Sequence, residues 1–229
     1  MTQLRIDVWS DIACPWCYVG KRRLESALQQ AGVPDTDVVW HSFELDARAP
    51  AVQDTTVPYA ERLATKYRCS VAQAEQMIAR MTDTAAIDGI TMRFDQAKPG
   101  NTFDAHRLLH LAHERGKQNE LKERLFAAYL TDGQAIGEHA TLAKVAGEAG
   151  LATDEVAAVL SSGRYANEVR ADEKMAQEIG ITGVPFFVIG GRLAVSGAQP
   201  ANVLADAIKQ GNDMLTASEG ASCGPEGCD

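Results

Sequence analysis

The stretch Leu4-Arg5-Ile6-Asp7-Val8-Trp9, continued by Ser10-Asp11-Ile12-Ala13-Cys14-Pro15-Trp16-Cys17, decides how the chain is read. Residues 4–9 alternate and are rich in strand formers, which predicts a β-strand. Beyond Cys17 the apolar positions Val19, Leu24, Ala27 and Leu28 recur at helical spacing up to Ala31-Gly32, so a helix follows at once. A Cys-x-x-Cys between a strand and a helix start has a physical purpose. It places the first cysteine at the helix N-terminus, where unpaired N–H groups and the macrodipole favour an anion. Cys14 is therefore expected to have thiolate character and to act as a nucleophile. Pro15 suits the first helical turn because it has no N–H to leave unpaired there. Cys17, one turn on, is expected to be the more buried thiol and to resolve a mixed disulfide formed at Cys14. Trp16 cannot carry a positive charge, so it supports a thiolate less than a histidine in its place. Half of a zinc site is the competing reading of such a pair.

Working outward, residues 37–45 read as a second strand. From 58 to 180 the pattern is almost wholly helical, with one or two helices over 59–81 and others at 103–114, 120–130, 140–150, 153–160 and 165–179. A strand-like piece at 89–94 is either a pairing partner or a connector. Strand character returns at 185–189, and Gly190-Gly191 predicts a hairpin into 192–196. A last helix is expected over 200–215, and residues 216–229 read as a flexible tail. The order β–α–β, helical block, β–β–α predicts an α/β class. One discontinuous domain, 1–57 plus 178–215, is interrupted by an all-helical insertion at 58–177.

Gly183-Val184-Pro185 opens the third strand, and proline belongs at a strand start because it cannot donate to a ladder. A cis Val184–Pro185 bond would set Pro185 beside the cysteines and expose the Val184 backbone to an extended substrate peptide. Cys223 and Cys228 flank Gly224-Pro225-Glu226-Gly227, a run able to turn back and close a disulfide. If the last helix ends on the side of Cys14, the eight residues from Leu215 to Cys223 reach far enough to approach it. The tail pair is then expected to be redox-auxiliary to Cys14 and Cys17. His106, His110 and His113 share one helix, but no carboxylate or cysteine completes a metal set, so no metal is expected. His106, with Asn101 and Thr102, is a candidate for lining the substrate cleft. Cys69 reads as a lone mid-helix thiol.

Taken together, Cys14-Pro15-Trp16-Cys17 after the first strand, the long helical insertion and Gly183-Val184-Pro185 before a hairpin resemble the DsbA family. Its cytoplasmic FrnE-like branch is the nearest likeness, supported by Asp7-Val8-Trp9-Ser10-Asp11 and by Asn101-Thr102-Phe103-Asp104-Ala105-His106-Arg107. The resemblance covers essentially the whole chain. It implies a thioredoxin-like fold with a helical insert, redox-active Cys14 and Cys17, and a cis proline at 185. It also implies protein thiols and disulfides as substrates, contacted by Pro15, Trp16, Val184 and Pro185.

Composition bounds the alternatives. A net charge of −9 with no Lys/Arg stripe argues against a nucleic-acid partner. Neither a signal-peptide pattern nor a membrane-length apolar run is present, so a cytoplasmic protein is expected, with thiols kept mostly reduced. Glutathione or a thioredoxin-type reductant is the expected electron partner, and no cofactor is called for. The rival reading is a glutathione-dependent isomerase or transferase, of the kappa-class or hydroxychromene-carboxylate isomerase type. Those enzymes typically have serine near the position where this chain has Cys14.

Overall fold

The computed structural model of the protein describes residues 3–53 and 55–220, with side chains to 217. Strand β1 (Arg5–Ser10) leads through the Cys14 turn into α1 (Pro15–Ala31), and β2 (Asp37–Ser42) follows. Seven helices come next: α2 (Tyr59–Tyr67), α3 (Val71–Ile87), α4 (Phe103–Glu114), α5 (Gln118–Leu130), α6 (His139–Glu148), α7 (Thr153–Leu160) and α8 (Ala166–Glu178). The hairpin β3 (Phe186–Ile189) and β4 (Leu193–Ser196) precedes the last helix, α9 (Ala201–Gly220). The sheet order is β2-β1-β3-β4; β1 runs parallel to β2 and antiparallel to β3. This is the thioredoxin-like α/β arrangement with helices inserted between β2 and β3.

Helix α1 owes its limits to its ends. Pro15 occupies the first turn, and Gly32 adopts the left-handed conformation (φ 73°) that lets its N–H cap Gln29 and Leu28 carbonyls. Its inward residues then divide between two cores. Cys17, Tyr18 and Val19 belong to a large apolar cluster built mostly by the inserted helices, whereas Leu24, Ala27 and Leu28 pack with the sheet and α9. The cysteine turn therefore lies on the seam between sheet and helical block. Edge strand β2 is covered by α5, where the Gln118 amide donates to the Trp40 carbonyl (2.8 Å) and accepts from its N–H (2.9 Å).

Several expected elements differ in detail. Of the one or two helices expected over 59–81 there are two, broken where Arg68 turns left-handed (φ 52°) and Ser70 forms a capping box with Gln73. Cys69 therefore sits in a turn and not in mid-helix. Residues 89–94 form no strand: Ile90, Met92 and Phe94 alternate inward, which imitates a strand, but the segment only connects α3 onward. Residues 216–220, read as tail, continue α9. Among the described residues, no helix is long and apolar enough to cross a membrane.

Candidate active site

Cys14 is the N-cap of α1, and its own N–H is tied back to the Asp11 carbonyl (3.1 Å) while its carbonyl accepts from the Cys17 N–H (3.0 Å). Its thiol points at the Val184 carbonyl, 3.6 Å away. The Val184–Pro185 peptide is cis. Pro185 is buried against α1, close enough that any Cβ at Gly20 would fall 2.8 Å from its Cγ. Glycine at 20 is thus what lets the helix and the proline loop meet. Cys14 and Cys17 are both free thiols, and Cys17 is fully buried. Burial, reinforced by the neighbouring Cys14, pushes the Cys17 thiol well above its ordinary value. Trp16, by contrast, is 45% exposed and flanks the buried pair with an open apolar surface.

Three buried ionisable side chains gather where β1 ends and the cysteine turn begins. Asp11 accepts from the Ala13 N–H (3.3 Å) and the Leu45 N–H (2.8 Å), and its Oδ1 is 3.4 Å from His106 Nε2. Burial alone would push this carboxyl up, but His106, Leu45 and Thr102 outweigh it and hold Asp11 below its usual range. Burial lowers His106 against the opposing effect of Asp11. Neither of its ring nitrogens has a well-formed hydrogen bond among the described residues, Nε2 standing 3.4 Å from Asp11 Oδ1. Lys122 on α5 is fully buried, with Nζ 3.5 Å from the Ser10 carbonyl and over the Phe126 and Trp40 rings (5.2 and 5.6 Å). Burial lowers its ammonium to about 8, opposed by the charges of Cys17, Asp11 and Cys14.

The chain belongs to the DSBA-like thioredoxin domain family. The family model matches residues 5–209, which take in the cysteine turn, the inserted helices and the proline loop. Similarity is close to a probable DsbA oxidoreductase, SCO1869, from Streptomyces coelicolor. That crystal structure is 40% identical, with a TM-score of 0.85 over 99% of this chain and 94% of its own. The uncharacterized protein YwbO of Bacillus subtilis (strain 168) is 29% identical over 90% of this chain and 96% of its own. The cytosolic disulfide reductase DsbM from Pseudomonas aeruginosa, solved with GSH, shares the fold at 17% identity. Its TM-score is 0.56 over 95% of this chain and 98% of its own.

In this DSBA-like chain the structure brings Cys14, Pro15, Trp16, Cys17, Val184 and Pro185 together. It does not bring Asn101, Thr102 and His106 to an open cleft. Thr102 and His106 are buried, and Asn101 caps α4 through the Phe103 N–H (2.9 Å) while reaching Glu44 (3.3 Å). The three helical histidines also part company: His106 faces Asp11, His110 contacts Asp172 and Ser42, and His113 is exposed.

Cys223 and Cys228 lie outside the described residues. Helix α9 starts at the Cys14 end of the sheet and runs away from it. The Ala198 carbonyl, just before α9, binds Arg23 of α1, whereas Gly211 abuts Ile189 and Met214 meets Arg192 at the opposite end of the sheet.

The sequence reading passed over Lys122 and Gly20. Lys122 did leave a signal, since it falls on the inward stripe formed by Gln118, Leu121, Leu125 and Phe126. Gly20 left none, because nothing local to α1 announces the approach of Pro185.

Proposed function

We propose that this protein is a thiol–disulfide oxidoreductase working on protein thiols and disulfides through Cys14 and Cys17. The observation that carries the reading is the Cys14 thiol at the start of α1, 3.6 Å from the Val184 carbonyl that precedes Pro185. In the reducing direction the Cys14 thiolate attacks a substrate disulfide, forming a Cys14–substrate bond and releasing one substrate thiolate. Cys17 then attacks the Cys14 sulfur, forming the Cys14–Cys17 disulfide and releasing the second thiolate. Reversal oxidises a substrate dithiol. Pro15, Trp16, Val184 and Pro185 form the surface that receives the substrate chain, the Val184 backbone pairing with it in extended form. Glutathione or a thioredoxin-type protein in the cytoplasm supplies or removes the electrons.

The test is turnover of insulin disulfides and of a reduced, unfolded protein, with Cys14→Ser and Cys17→Ser compared with wild type. Cys14→Ser is expected to fall to background. Cys17→Ser is expected to accumulate a mixed disulfide visible by mass spectrometry. Glutathione conjugation or isomerisation that survives Cys17→Ser, without disulfide turnover in the wild type, would establish the glutathione-dependent isomerase or transferase instead.

A further inference from the structure

The Val184 carbonyl is placed by a short run of chain strung between two anchors. Downstream, Pro185 packs on Gly20, and its carbonyl accepts from the Gly197 N–H (2.8 Å). Upstream, the Ile181 N–H bonds the Ala176 carbonyl of α8 (2.8 Å). Between the anchors, Thr182 and Gly183 make no hydrogen bond among the described residues. The seat of α8 therefore decides where Val184 stands. Ala176 and Ile181 pack with Trp9 and Val184 in a small apolar cluster separate from the two large cores. Polar bonds fasten α8 over that cluster. Trp9 Nε1 donates to the Asp172 carbonyl (3.1 Å). The Asp172 carboxylate accepts from the Ser42 N–H (2.8 Å), meets His110 (3.2 Å) and bonds His41 Nδ1 (2.7 Å). The second His41 nitrogen bonds Asp7 (2.8 Å), and the ring stacks on Trp9. Both ring nitrogens thus face carboxylate oxygens, which only accept, so both carry hydrogen and His41 is an imidazolium. This linkage lies across the sheet from α1, which packs on the opposite face through Ile6 and Val8.

We propose that Asp172, locked by His41, is a positioning residue for the Val184 backbone and so selects extended peptide disulfides over disulfides with no backbone to pair. The proposal rests on the oxidoreductase reading above. With the lock released, α8 and the 181–184 run shift together, and the Val184 carbonyl loses its alignment with a substrate strand. Cys14, at the head of α1 beyond the sheet, keeps its reactivity. The charged and titratable groups facing the lock are Arg5 and Asp7 from β1, His41 from β2, His110 from α4 and Asp172 itself from α8. Arg5 and the imidazolium balance the two carboxylates. Loss of the His41 proton leaves one carboxylate against a bare nitrogen, and the lock loosens.

The experiment mixes the reduced protein with excess of two uncharged disulfides: an end-blocked peptide disulfide without titratable side chains, and hydroxyethyl disulfide. Acid quench and mass spectrometry follow the loss of the Cys14 thiol, as mixed disulfide or as Cys14–Cys17 disulfide. Both reactions start from the same thiolate, so the ratio of their rates cancels its ionisation and reports backbone pairing. The wild type is expected to prefer the peptide. Asp172→Asn turns one acceptor into a donor facing donors, and is expected to lower the ratio roughly tenfold, the worth of one or two backbone hydrogen bonds. The hydroxyethyl disulfide rate is expected to stay unchanged. His41→Gln is expected to behave alike, with a ratio independent of pH, whereas the wild-type ratio falls as pH passes about 9. Four results would each overturn the assignment and leave the oxidoreductase reading intact: no wild-type preference for the peptide, a wild-type ratio flat with pH, a variant ratio equal to wild type whatever its loss of stability, or both rates falling together. Should neither variant fold, as judged by circular dichroism, the wild-type pH profile of the ratio decides. A wild type whose Cys14 reacts with neither disulfide would overturn both readings.

Discussion

Gly20 and Pro185 meet so closely that the smallest side chain cannot fit between them: a Cβ at 20 would stand 2.8 Å from Pro185 Cγ and 3.4 Å from the Phe187 ring. Helix α1 and the loop holding Val184 are therefore positioned by the absence of a side chain. Gly20→Ala must push the two apart, and overpacking of this kind costs about 1–3 kcal/mol. Urea unfolding is expected to show that loss. Insulin reduction is expected to drop as well, because the displaced Val184 carbonyl no longer faces the Cys14 thiol. Full activity with unchanged stability would mean that the loop yields freely.

A second relationship ties the helical block to the sheet. His41 on β2 lies between Asp172 of α8 (2.7 Å) and Asp7 of β1 (2.8 Å), stacked on Trp9 at 4.5 Å. Asp172 also accepts from the Ser42 N–H (2.8 Å) and contacts His110 (3.2 Å). Burial would lower His41, but the two carboxylates prevail and raise it to about 9. A histidine raised on folding stabilises fully below its unfolded value, near 6.5, and loses that contribution as pH climbs through 9. The stability gap between wild type and His41→Gln is thus expected to be widest near pH 6 and to shrink toward pH 9.5, by on the order of 3 kcal/mol. Asp172, held well below its ordinary value chiefly by His110 and His41 against the effect of burial, acts at the other limit: its contribution disappears as pH falls below 4. Urea unfolding across pH measures both, and a gap independent of pH would contradict the assignment.

The course of α9 makes a third expectation. Replacing Cys223 and Cys228 by Ser is expected to leave insulin turnover and the potential of the Cys14–Cys17 pair unchanged at dilute protein, since the helix leads away from that pair. A shift in either quantity at dilute protein would show that the tail reaches back.

Much of this architecture is legible in the chain because local patterns agree with the tertiary outcome. The alternation of residues 4–9, the Gly190-Gly191 turn and the helical spacing of the insertion each report what the backbone does. Where pattern and packing part, reading fails for a definite reason. Ile90, Met92 and Phe94 alternate inward without a strand partner, and α9 runs through Gly220 without the apolar period that would announce it. The cysteines and Pro185 are legible because their chemistry is local. Lys122 and Asp11 converge from elements 111 residues apart, a meeting that only the packing of α5 on the sheet produces. His106, read as a cleft residue, turns inward for the same reason.

The division of α1 between two apolar clusters has a dynamic consequence. Its opening turn moves with the inserted helices and its later turns with the sheet, so any partial loosening of one body from the other unseals the sulfurs before either core melts. Alkylation of the Cys17 side chain, slow while the seam is shut, then becomes a clock for that sub-global opening.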